Sequence, residues 1–331
     1  MSALPRVVLF GMLAAGCGTA DTTDDWRVVP ELEQQVWSMS ATTNEDASEW
    51  LVVGGTPERG ALSVGPAPDG LTSVSVPEVP LLNWGQLFAN GRGVAVGREG
   101  VVLTRQRENG DWRLQQTPTQ EDLWGVWGAR PDDLWAVGGR GQAEGQAVLL
   151  HYDGARWLEV TLPELERPRV WALYKVWGTA ADDVWVVGQR GLLLHYDGAE
   201  WSEHGAGTGE DLIALWGTAP DRIVAVGGRS SAVVARYDGK RWSSESLAPL
   251  PGLNGVWTGD GQTVFVGGIE GTLADLDFDS LVYVEKYQHT PHVFHAVHGG
   301  AGQVLGVGGS LDMPSGPFVG LGRLRRIGEA Q

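Results

Sequence analysis

The sequence predicts an all-β protein, a seven-bladed β-propeller of four-stranded antiparallel blades whose ring is closed by the N-terminal strand. Three observations carry this. A Val-Trp-Gly motif recurs along the chain, each recurrence is followed by an apolar strand ending in glycine, and the two ends of the chain hold complementary fragments of one repeat.

Residues 176–201, VWGTAADDVWVVGQRGLLLHYDGAEW, show the unit most clearly. Val176 and Trp177 end an apolar run at Gly178, and the small, acidic stretch up to Asp183 reads as a turn. Val184 to Val187 is β-branched and aromatic, which suits a buried strand, and residues 188–191 break it. A third run, Leu192 to Tyr196, meets the turn dipeptide Asp197-Gly198, after which Trp201 opens a fourth strand.

The motif tryptophans are Trp127, Trp177, Trp216 and Trp257, at successive spacings of 50, 39 and 41 residues. Their following strands end at Gly139, Gly188, Gly228 and Gly268. Weaker copies centre on Trp37, Phe88 and His298, which brings the total to seven. A closed ring of such blades leaves few exposed sheet edges. Trp26-Arg27-Val28-Val29-Pro30 reads like the fourth strand at 157–163, yet it precedes the first copy, while the last copy ends after a third strand near 318–327. The N-terminal strand is therefore expected to complete the last blade.

The 331 residues include 49 glycines and 16 tryptophans, many turns around bulky packing groups. The formal net charge of -17, with lysine only at Lys175, Lys240 and Lys286, excludes the basic stripe of a nucleic-acid binder. Residues 1–16 read as a signal peptide: Arg6 supplies the positive start, and Val7 to Ala15 is apolar but too short to span a bilayer. Leu13-Ala14-Ala15-Gly16-Cys17 resembles the lipobox of bacterial lipoproteins, which implies lipidation of Cys17, the chain's one cysteine. The alternative is an ordinary signal peptide cut near Ala20. Residues 17–25 would be the lipidated cysteine and tether, and 26–331 the propeller. Gly18 stands where an inner-membrane retention signal would have Asp, so an outer-membrane address is expected.

The turns HYDGARW, HYDGAEW and RYDGKRW resemble the Asp boxes of sialidase-like propellers, and the Val-Trp-Gly repeats resemble those of exported bacterial lipoproteins. Two departures from the Asp box stand out: Asp153 and Trp157 are one residue too close, and His151 holds a Ser or Thr position. The resemblance implies a structural role for Asp153, Asp197 and Asp238 in the turn between third and fourth strands.

In a four-stranded blade the first and third turns share one face of the disc. That face collects Asp132, Asp133, Asp182, Asp183 and Asp221 with the three box aspartates. The second turns, on the other face, carry Arg98, Arg140, Arg190 and Arg229, candidates for holding anionic groups of a partner. A tether entering at Trp26 would turn the acidic face toward the membrane and the arginine face outward. Three residues before the motif tryptophans and His298 stand Trp124, Tyr174, Ile213, Asn254 and His295. By strand alternation they lie opposite those residues, and Trp124, Tyr174, Asn254 and His295 are candidates for lining the channel mouth. Trp84, Trp124 and Trp171 fall outside the repeat frame and the other tryptophans read as core. His289, His292, His295 and His298 lie three apart, a spacing that alternates faces on a strand and argues against a metal site. No nucleophile elbow, zinc-protease motif or phosphate loop is present, and no cofactor is expected. The functional expectation is an envelope lipoprotein whose propeller binds a protein or peptide partner on its outward face. The alternative is a glycan-binding lectin or sialidase-like enzyme.

Overall fold

The computed structural model describes residues 26–141, 145–285 and 290–327. The expected signal peptide, Cys17 and tether lie outside them, as does His289. The described chain forms a seven-bladed propeller of four-stranded antiparallel sheets with no α-helix.

The innermost strands of the blades, in order, are Trp37–Thr43, Leu82–Leu87, Leu123–Arg130, Leu173–Ala180, Leu212–Ala219, Leu253–Trp257 and Val293–Gly300. Each touches the next, and the seventh touches the first, so they form the wall of a central channel. The ring closes as the sequence leads one to expect. Arg27–Val28 pairs antiparallel with Gly320–Arg326, matching Arg27 to Leu324 and Val28 to Arg323, and supplies the fourth strand of the seventh blade.

Between blades the contacts are side-chain contacts, and their chemistry varies around the ring. Trp135 of the third blade packs on Tyr196 and Trp201 of the fourth, and Trp185 of the fourth packs in the same way on Tyr237 and Trp242 of the fifth. At the first junction a buried ion pair takes over, with Arg105 donating to both Glu49 carboxylate oxygens at 2.7 and 2.6 Å. At the sixth, Arg325 pairs with Asp275 at 2.6 Å.

The turns obey the reading of the Asp-Gly motif. One carboxylate oxygen of Asp197 accepts the backbone N–H groups of Ala199 and Glu200 at 2.9 and 3.0 Å, and Gly198 takes a φ of +92° that a side chain would resist. Asp153 and Asp238 repeat the arrangement. The N–H groups of Arg156, Glu200 and Arg241, with those of Ala155, Ala199 and Lys240, hold these three carboxyls below their ordinary range.

Candidate functional site in the central channel

Every innermost strand slips register at the same place. Pairing jumps between Ser38 and Ser40, Leu82 and Trp84, Leu123 and Gly125, Leu173 and Lys175, Leu212 and Ala214, Leu253 and Gly255, and Phe294 and Ala296. The extra residue is Met39, Asn83, Trp124, Tyr174, Ile213, Asn254 or His295. These include the residues expected at the channel mouth, and the bulge defeats the alternation on which that expectation rested. Three of them spend a polar group on nearby backbone. Asn83 donates to the Leu123 carbonyl at 2.8 Å, Trp124 to the Gly139 carbonyl at 2.7 Å, and His295 through Nδ1 to the Met39 carbonyl at 2.7 Å.

The same register corrects the placement of the motif residue in two blades. Its structural equivalents are Thr42 in the first blade and Gln86 in the second, opposite Leu51 and Val94, rather than Trp37 and Phe88. The full level around the channel is Thr42, Gln86, Trp127, Trp177, Trp216, Trp257 and His298. All seven line a cavity of about 320 Å³. The motif tryptophans are thus the cavity wall as well as packing groups, because the innermost strand of a propeller faces the axis.

The motif side chains of the second to seventh blades also reach the following blade. A Cβ added to Gly178 would stand 2.8 Å from the Trp127 ring, one on Gly217 2.7 Å from Trp177, and one on Gly299 2.4 Å from Trp257. The motif glycine is the seat for the preceding blade's indole. Where Gln86 and His298 stand in place of the tryptophan, polar contacts replace it. The Gln86 amide exchanges two 2.9 Å hydrogen bonds with the backbone of Gly128, and His298 Nε2 lies 3.5 Å from Thr43 Oγ1. Trp216 meets Thr258 instead of glycine and donates to its carbonyl at 3.1 Å.

One step deeper along the same strands, the residues are Ser40, Trp84, Gly125, Lys175, Ala214, Gly255 and Ala296. Five are small, which leaves room on the axis for two large side chains. Lys175 is buried, its Nζ lies 3.3 Å from the centroid of the Trp84 ring, and it donates to the Trp124 carbonyl at 3.3 Å. Burial pushes its ammonium well below the usual lysine range. Trp84 and Lys175 form the inner end of the cavity. Glu45, Phe88, Ala129 and Gly299 mark its mouth, on the face of the first and third turns. Lys175 was legible only as one of three lysines. The signal that singles it out is a long cation at a position where five other copies have a small residue.

Two imidazoles at this centre are held neutral. Burial pushes His298 down to about 3, and burial together with the charge of Lys175 takes His295 to about 4, against the hydrogen bond to Met39, which raises it. The sign for stability follows. Below the ordinary histidine range near pH 6.5 the unfolded chain binds protons that the folded chain refuses, so stability is complete above that pH and falls as acid is added. The loss should approach about 1.4 kcal/mol per pH unit for each such imidazole. Urea midpoints at pH 7.5, 6 and 5 measure it, and His298→Gln should flatten the slope. Equal midpoints at all three pH values would remove the assignment.

On the opposite face the candidate arginines do not form one cluster. Arg140 pairs with Glu121 at 3.3 Å, and Arg229 pairs with Asp211 at 2.6 Å while donating to the Tyr174 hydroxyl at 3.0 Å. Arg190 is exposed, and its backbone N–H donates to Asp211. Arg98 holds the position of Gln189 rather than that of Arg190, one step earlier in its turn, and is half-buried. Among the candidates the structure brings together only Tyr174 and Arg229. Asn254 and Ile213 are half-buried nearby in the bulge series.

His151 and His195 approach Asp133 and Asp183 at 2.8 and 2.7 Å, His151 lying tilted against Trp135 and His195 stacked on Trp185. Residues opposite them on the fourth strand are Leu158 and Ser202, so the pair recurs without a common chemical partner and is read as blade packing. Among the described residues no group of three His, Cys, Asp or Glu side chains converges to hold a metal. A larger groove of about 830 Å³ runs between residues 31–38 and the outer strands of the first blade, and its charged groups, Glu31, Glu58, Arg59 and Glu78, are all exposed.

No family model and no curated protein matches the chain. Solved structures do. YCF48 from Cyanidioschyzon merolae is similar at a TM-score of 0.69 and 11% identity, covering 92% of this chain and 98% of that one. The WD40 β-propeller domain of Doa1 reaches 0.69 at 6% identity, covering 91% and 97%. The RRP9 WD40 repeats reach 0.68 at 10% identity, covering 91% and 98%. At these identities the likeness is one of fold.

Proposed function

We propose that the protein is an exported lipoprotein, anchored through Cys17 in the outer membrane, whose propeller binds a protein or peptide partner and carries out no catalysis. The observation that carries the binding reading is the channel cavity. It is concave, walled by Trp127, Trp177, Trp216 and Trp257, and interrupted by a few polar groups, Thr42, Gln86 and His298, which is the composition of a site for a side chain or short segment. Similarity to WD40 propellers is compatible with this reading but supports the fold only. The outer arginines contribute less than their number implies. Glu121 and Asp211 offset the exposed Arg140 and Arg229, which leaves Arg190 as the exposed arginine of the four without an acid partner among the described residues.

The lectin alternative needs exposed indoles. Trp84 is half-buried with Lys175 over its ring, Trp124 is half-buried with its N–H spent on Gly139, and Trp171 is half-buried. None offers a free stacking face comparable to the cavity wall.

Two experiments test the proposal. Metabolic labelling with palmitate should mark the full chain and not Cys17→Ala, and equal labelling would remove the anchor. A peptide-display selection should enrich sequences that lose binding with Glu45→Arg and Ala129→Arg at the cavity mouth. Loss with Arg190→Glu instead would move the site to the opposite face, and no enrichment would overturn the binding reading.

A further inference from the structure

We infer that the channel cavity is a site for an apolar group ending in a carboxylate, with the carboxylate on Lys175 and the apolar body between the indoles. The inference rests on the binding reading above and names the ligand chemistry of that same site.

Other buried cations of this chain have acids: Arg105 has Glu49, Arg323 has Glu33, and Arg325 has Asp275. Lys175, only 4% exposed, has none among the described residues, and its contacts are one carbonyl and the face of one indole. An ammonium so placed loses its hydration without gaining an acid, and a methionine would fill the same length without that loss. At the same level Ser40 is buried, and its hydroxyl has no hydrogen-bond partner. A cation without an acid therefore stands at the closed end of an aromatic-walled cavity open to one face, with Ser40 at the same level of the ring.

A carboxylate is the group that suits the amine. It accepts from the amine in a charge-assisted bond. Above it, Trp127, Trp177, Trp216 and Trp257 offer apolar surface and no acid until Glu45 at the mouth. About 320 Å³ is room for one large side chain or a compact acid, not for an extended polymer. The ligand is then the C-terminal residue of a partner chain or a free apolar carboxylic acid.

Binding should also be linked to protons. The titratable groups facing the amine are His295 and His298, both held neutral, with Glu45 at the rim. A carboxylate beside the amine favours its ammonium form and opposes the downward push of burial, so binding should take up protons rather than release them.

The test uses the full chain and four probes: 3-phenylpropionate, its primary amide, a hexapeptide ending in phenylalanine with a free carboxylate, and the same peptide amidated. Tryptophan fluorescence and calorimetry in two buffers of different ionisation heat report binding and proton uptake. At least one of the two acids is expected to bind ten-fold or more tightly than its amide, with proton uptake. Lys175→Met should erase both while melting no lower than the parent. Acid binding alone identifies a small-molecule site, and peptide binding alone a C-terminus site; either supports the inference. Acid and amide binding equally, or Lys175→Met keeping the preference, overturns it. If both peptides bind equally and lose binding with Ala129→Arg, the peptide-binding reading stands while the carboxylate inference falls. If no probe binds, the inference falls as well, and the display selection decides the broader reading independently.

Discussion

Val29→Asp is expected to open the propeller. The closing strand is short, and its two ladder pairs contribute little by themselves. What holds it is burial: Val29 is fully enclosed and packs in one cluster with Leu32, Leu305 and Leu324, while its N–H donates to the Gly322 carbonyl at 3.1 Å. A carboxylate there loses its hydration without gaining a cation, which costs several kcal/mol against a typical total stability of about 5–15 kcal/mol. The change should lower the melting temperature by ten degrees or more and expose the N-terminal segment to protease. Val28→Asp is the control, because that side chain is 44% exposed and its replacement should shift stability by no more than about 0.5 kcal/mol. Similar melting of the two variants would show that the strand is not what closes the ring.

Gly299→Ala should cost about 1–3 kcal/mol, the usual penalty of overpacking. The added methyl would stand 2.4 to 2.6 Å from three atoms of the Trp257 ring, and those are its nearest neighbours. The penalty should depend on the indole. Combined with Trp257→Phe, which withdraws part of the ring, Gly299→Ala should cost at least about 1 kcal/mol less than in the parent. Denaturant midpoints of the four proteins in the cycle give the coupling. Strict additivity would mean that the indole and the glycine are not partners.

The strand count and ring closure were legible in the sequence because they depend on features repeated as chemistry: the Asp-Gly turns, the glycine that ends each second strand, and the stray fourth strand at Trp26. The channel was less legible. Its bulge is occupied by Met39, Asn83, Trp124, Tyr174, Ile213, Asn254 and His295, which share no property, so nothing in the letters marks the place where alternation fails. The motif position changes identity to Thr42 and Gln86 in the first two blades, and nearby aromatics, Trp37 and Phe88, draw the alignment away from it. Lys175 is conspicuous only once the seven copies are laid in register and its neighbours are seen to be small.

The indole seated on the next blade's glycine has a consequence for how such a ring can change. A blade carries a plug for its successor and a socket for its predecessor, so it can be copied in tandem without any new fitting. Moved to another junction, it fits only if both neighbours carry the matching half. His298 with Thr43, Gln86 with Gly128, and Trp216 with Thr258 are junctions where the plug, the socket or both differ from the common pattern. These junctions fix the order of the blades, much as keyed connectors fix the order of otherwise interchangeable parts.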